Sequence, residues 1–251
     1  MIRAKARYLP AVLATAVMGA ISIASAQAET VRITEWMYQG GHAGAESPPN
    51  EYGEFIEFTN MSGSAVDMTG WSFDDDSRAP GTVDFGSVFG LVAAGESVIL
   101  TDLTASSFRS IWNLDSSVKV FGNNGANLGR ADEINLFDAS GQLVDRLAYD
   151  DQGSGAKDGP RTQRTSARPG SLAAIGANNA SLWVLSAVND VEGSYLSTAA
   201  SGETAERGSP GTTSFAPTPA PVPLPAAAWL LLSGLGLIGG GRLKRAGQKS
   251  V

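Results

Sequence analysis

The chain has 251 residues, 43% of them hydrophobic, no cysteine and a formal net charge of −7. That is enough apolar material for one core of ordinary domain size, and the absence of cysteine excludes a disulfide-stapled scaffold. All 25 acidic residues fall between Glu29 and Glu206; with three basic residues in the first seven positions and four after Gly241, the stretch between carries 11 basic groups, a net charge of −14 that repels phosphate backbones and argues against nucleic-acid binding.

Arg3, Lys5 and Arg7 precede an apolar run over 8–23, which ends in Ala24-Ser25-Ala26-Gln27-Ala28. Basic head, apolar middle and small-x-small end predict a secretory signal peptide over 1–28, cut after Ala28, with Ala26 the second choice. Residues 31–38 then alternate, with Val31 and Ile33 on one face, and predict the first strand of a domain expected over 29–214. Residues 39–52, with glycines and two prolines, read as a long loop at one end of that domain. His42 in this loop is the sole histidine, and no G-x-S-x-G elbow occurs anywhere, so it reads as a solvated loop residue and not as a catalytic base.

The stretch 53–77 is the organising centre. Ile56 and Phe58 face one way and Glu57 and Thr59 the other, the two-residue alternation of a half-buried strand. Met61 to Ala65 is turn chemistry. A second strand is expected over 66–73, with Gly70 as a β-bulge that restores phase, so that Ile56, Phe58, Val66, Met68, Trp71 and Phe73 share one core. Asp74, Asp75 and Asp76 end it. Three adjacent carboxylates repel unless solvated or bridged by a hard cation, which makes them a candidate Ca²⁺ site, with Asp84 or Glu54 as further ligands. It is not an EF-hand, because Ala79 and Phe85 stand where glycine and glutamate would be required.

Short strands are predicted over 82–85 and 96–102. Thr104 reads as the N-cap of one helix over 105–112, which sets Phe108 and Trp112 four apart on one face. Ser116-Ser117-Val118-Lys119 matches S-x-x-K, but it leads into a strand pattern with no S-D-N or K-T-G after it, and so carries no penicillin-recognising chemistry. Residues 132–138 and 143–149 predict a hairpin turning at Gly141; the inward face of its second strand is ambiguous, since Leu143, Leu147 and Tyr149 share a phase with Asp145. Arg161, Arg164 and Arg168 are expected to pack across the acidic end of the fold, and Trp183 to cap the core.

The run E-F-I-E-F-T-N, a polar turn and V-D-M-T-G-W-S-F resembles the opening of a lamin-tail domain, an immunoglobulin-like β-sandwich. V-A-A-G-E-S-V-I-L at 92–100 and D-E-I-N-L-F-D-A-S-G-Q-L-V-D-R-L-A-Y at 132–149 continue the likeness, and R-T-Q-R at 161–164 and S-P-G-T at 209–212 extend it. The resemblance implies an all-β sandwich with one short helix. It transfers no catalytic residue, because no catalytic set defines the family, and fold does not carry function.

Residues 215–221 form a proline-alanine linker. Val222-Pro223-Leu224-Pro225-Ala226 then leads into apolar residues up to Gly241, followed by Arg242, Lys244 and Arg245. The 20 residues over 222–241 are just long enough to cross a bilayer as a helix, with the basic end in the cytoplasm. Gly234, Gly236 and Gly239 match the spacing of a dinucleotide fingerprint, but no strand precedes them. The tail over 222–251 is similar to the PEP-CTERM sorting signals of Gram-negative bacteria, in their VPLPA form. That resemblance implies an exosortase as partner, recognising Val222 to Ala226 and removing the helix. The expectation is therefore a non-enzymatic structural or interaction protein of the cell surface or extracellular matrix, with a surface polysaccharide or matrix protein as partner and no cofactor unless Ca²⁺. The alternatives are a Ca²⁺-dependent ligand-binding module and a secreted carboxylate-based hydrolase.

Overall fold

The computed structural model describes residues 31–41, 53–198 and 205–217. The segments 1–28 and 222–251, with Ala28, the sorting motif and the spanning segment, lie outside the described residues, as does His42. Among the described residues no helix is long and apolar enough to cross a membrane.

In chain order the elements are β1 (Val31–Met37), β2 (Phe55–Asn60), β3 (Val66–Asp67), β4 (Ser72–Asp74), β5 (Val83–Asp84), β6 (Leu91–Val92), β7 (Ser97–Thr101), α1 (Ala105–Ile111), β8 (Lys119–Phe121), β9 (Ala131–Phe137), β10 (Leu143–Asp150), β11 (Ala167–Pro169), β12 (Trp183–Leu185), β13 (Tyr195–Leu196) and β14 (Arg207–Gly208). A six-stranded sheet of order β12-β11-β1-β2-β7-β8 packs on a four-stranded sheet of order β10-β9-β4-β5, and the pairs β3-β6 and β13-β14 complete the strands. This is the sandwich with one helix that the alternation and the resemblance predict.

The main core lies between the two sheets. Ile56, Phe58, Val66, Met68, Trp71 and Phe73 all enter it, together with Trp36, Phe85, Ile134, Tyr149 and Trp183. The single strand expected over 66–73 is instead two. Met68 N donates to Gly90 O and Gly70 N to Gly86 O, while Gly70 sits at φ +73, so the chain turns there and passes from the β3-β6 pair to the four-stranded sheet. Gly70 thus changes sheets and does not bulge within one; both geometries put Trp71 and Phe73 back in the core, which is why phase alone does not separate them.

The expectation of a half-buried β2 also fails. All six of its residues are buried, Glu57 and Thr59 fully so. Its outer face is covered by a second apolar cluster of Met37, Phe55, Ile99, Leu103, Phe108, Trp112 and Val120, which seats α1 against the large sheet. Thr104 caps α1 as predicted, its Oγ1 accepting from Ser107 N at 3.1 Å. The face of β10 is settled by a register shift between Leu143 and Asp145: Leu143 is exposed, and Asp145 turns inward to accept from Ile33 N at 2.9 Å and from Arg32 at 3.3 Å.

Beside α1 the outer face is polar. The β1-β2 ladder shifts between Ile33 and Glu35, which sets Glu35 opposite Glu57, both inaccessible to solvent. Glu35 accepts from Ser166 Oγ, from Ser209 N at 2.8 Å and from Ser209 Oγ at 3.1 Å. Glu57 accepts from Thr34 Oγ1 at 2.6 Å and from Gly211 N at 2.7 Å. The segment that follows β14 is therefore clasped to the middle of the sheet through two buried carboxyls.

Candidate functional site

At one end of the sandwich the chain opens a cleft of about 380 Å³, lined by Tyr38, Gln39, Glu54, Asp102, Asn127, Leu128, Gly129 and Arg130. Strand polarity collects these residues. Tyr38 and Gln39 follow β1, Glu54 precedes β2, Asp102 follows β7, and Asn127 to Arg130 precede β9; alternating strands deliver their polar ends to the same edge. The volume is in the range of small-ligand sites.

The walls are fixed from below. Trp36 stacks on Tyr149 with ring centroids 4.0 Å apart, and Tyr38 lies parallel to Tyr149 at 6.4 Å. Tyr149 OH donates to Gly129 O at 3.0 Å, and Asp132 accepts from Gly129 N at 2.7 Å, so the loop before β9 is held on both sides. Arg130 pairs with Asp151 through Nε at 2.9 Å and NH2 at 2.6 Å, and Tyr38 OH donates to the same carboxylate at 2.8 Å. Arg130's hydrogen bonds hold Asp151 below the ordinary carboxylate range, and burial, then the bond to Asp151, pushes the Tyr38 phenol up.

Glu54 is the unusual member. It is 4% exposed; its Oε2 accepts from Leu128 N at 2.7 Å, while Oε1 is buried with no hydrogen-bond partner among the described residues. Burial, followed by the charge of Asp102 and then those of Asp132 and Asp75, pushes its carboxyl well above the usual range. Asp132 is raised too, chiefly by burial, with Asp75 and Asp76 contributing. The cleft is thus an acidic end whose nearest lining cation, Arg130, is already taken by Asp151.

The three aspartates singled out in the sequence separate. Asp74 is buried and accepts from Ser77 Oγ at 2.8 and 3.0 Å and from Ala79 N at 2.8 Å, which closes a turn. Asp75 is half-buried and Asp76 exposed, both toward the acidic end. Asp84, at the end of β5, accepts from Gly86 N at 2.7 Å; Glu54 belongs to the cleft. Among the described residues no group of three or more histidine, aspartate or glutamate side chains is arranged to hold a metal ion. Arg161 reaches Asp151 at 3.7 Å, Arg168 pairs with Asp190 at 2.6 Å, and Arg164 is exposed. Sequence reasoning did not bring Tyr38, Asp102 and Asn127 together, although an acid at each end of an apolar strand, with the strand order known, is the signal that would have.

The lamin tail domain family matches residues 24–151, half of the chain, and the β-sandwich observed is the fold expected of it; the chain belongs to this family. No curated protein and no solved structure matches the chain. The six-stranded sheet continues past the matched region, because β11 and β12 extend it beside β1, with Trp36 opposite Ala167.

Proposed function

We propose that this chain is an exported, non-enzymatic structural or interaction module of the Gram-negative cell surface or extracellular matrix, held at the inner membrane only until an exosortase-type enzyme processes its tail. The observation that carries the reading is the order of segments: a lamin-tail-like domain over 29–214, preceded by a signal-like leader ending at Ala28 and followed by Val222-Pro223-Leu224-Pro225-Ala226, an apolar run and a basic end. Five glycines after Leu232 weaken that run as a permanent anchor, which suits a segment that is cut away. The net charge of −14 over the middle of the chain and the acids Glu54 and Asp102 in the cleft support a binding role for a positively charged partner.

Mass spectrometry of the mature protein from its native host is the test. The expected C-terminus lies near Pro225, with Arg242 to Val251 missing, and replacing Arg242, Lys244 and Arg245 by neutral residues should leave uncut precursor. An intact Val251 on surface-exposed protein would leave a plain membrane-tethered domain instead.

A further inference from the structure

We propose that the end cleft binds an amino sugar, its ammonium group received by Glu54 Oε1 with Asp102 beside it and its hydroxyls by Gln39 and Asn127. The inference rests on the surface-module reading for its biological setting but not for its chemistry. Glu54 Oε1 is buried with no hydrogen bond among the described residues, so the empty cleft favours the protonated carboxyl; an ammonium guest pairs with the carboxylate, and that proton is released to solvent on binding. The carboxylates around it, Asp102, Asp132 and Asp75, all favour a positive guest, and Arg130 does not compete because Asp151 holds it in a two-pronged pair.

Three features select the body that carries the charge. The cleft, at about 380 Å³, is far larger than a metal ion requires, and no metal-binding group of acids or histidine occurs among the described residues. Its described lining has one aliphatic side chain, Leu128, among polar side chains and backbone groups. The amides of Gln39 and Asn127, an aromatic ring and the backbone at Gly129 suit a polyhydroxylated ring.

The test is calorimetric titration of the full-length protein at low ionic strength with glucosamine and its short β-1,4 oligomers, against N-acetylglucosamine, whose amide is neutral. Saturable binding of the amine, at least tenfold tighter than of the acetylated sugar, is expected. Glu54→Gln should cut the affinity at least tenfold while keeping the acceptor for Leu128 N. Because Glu54 is buried, its melting transition is recorded alongside, and Asn127→Lys, at an exposed position, supplies an independent variant that should abolish binding by placing a cation in the cleft. Equal affinity for the acetylated sugar, unchanged binding in the variants, displacement of glucosamine by micromolar Ca²⁺, or release of new reducing ends from the oligomers would each overturn the proposal. None of these outcomes bears on where the tail is cut, so the two readings stand or fall separately.

Discussion

Trp71 shows how one side chain ties the two sheets together. It follows the turn at Gly70, is 3% exposed, and its amide donates to Met68 O while its carbonyl accepts from Phe85 N, so the indole is fixed just where the chain passes from the β3-β6 pair to β4. Trp71→Ala empties a large site that neighbouring rings cannot refill, and a loss of about 3–5 kcal/mol in unfolding free energy is expected by denaturant titration. A variant that melts with the parent would place the indole at the surface. Trp71 was legible as a core residue because the apolar phase on either side of Gly70 demands it. Glu54 was legible only as a possible further ligand of the Asp74 to Asp76 turn, since its place in the cleft comes from strands that converge on it from distant parts of the chain.

The paired carboxyls of Glu35 and Glu57 belong to the element scale, because they join β1, β2 and the segment after β14. Burial, followed by the charge of Glu57, raises the Glu35 carboxyl to about 8, and burial alone leads the rise in Glu57. Two such groups side by side favour sharing a proton over ionising together. Tyr195, whose phenol is pushed up to about 12 by burial and then by these two acids, adds no compensating positive charge. Both carboxyls bind protons more tightly in the folded state than unfolded, so their stabilising contribution is complete below the ordinary carboxylate range and is lost as pH rises through the folded values. Thermal melts should therefore show a lower midpoint at about pH 9 than at about pH 5, and Glu35→Gln should flatten that dependence. A midpoint that does not fall over this interval would mean the pair is ionised in the fold. The sequence shows none of this: Glu57 alternates outward from a strand, the usual mark of a solvent-facing acid, and only the arrival of α1 and residues 207–211 from far along the chain turns that face into an interior.

At the scale of the whole molecule, the family match ends at residue 151 but the fold does not. β11 and β12 add two strands to the large sheet, Trp183 enters the main core, and Ser166, Ser209 and Gly211 supply the donors for the buried acids. A chain cut after Asp151 would expose an edge of β1, strip Glu35 of its donors Ser166 and Ser209 and leave Glu57 without Gly211, so it is expected to lack a cooperative melting transition, whereas one ending after Pro217 should melt as a unit. Finding the two equally cooperative by circular dichroism would reduce β11 to β14 to an ornament. The sandwich class, the helix cap and the hairpin at Gly141 could be read from local pattern, because each is decided within a few residues. The sheet order, the covered outer face and the cleft could not, because each depends on residues that lie from tens to well over a hundred positions apart.

Those long pairings also set an order of events. Glu35 waits for a partner 174 residues downstream, and Ile33 for one 112 residues away, so the strand made first is among the last to find its full set of bonds. Closing loops of that length is slow, and little rewards it until the distal segment has been synthesised. β1 can pair with β2 while the chain is still emerging, but its other edge and the donors of Glu35 must wait for β11 and the segment after β14. Docking of Ser209 to Gly211 on Glu35 and Glu57 closes separations of 174 and 154 residues, and fastens the end of the domain to its first two strands.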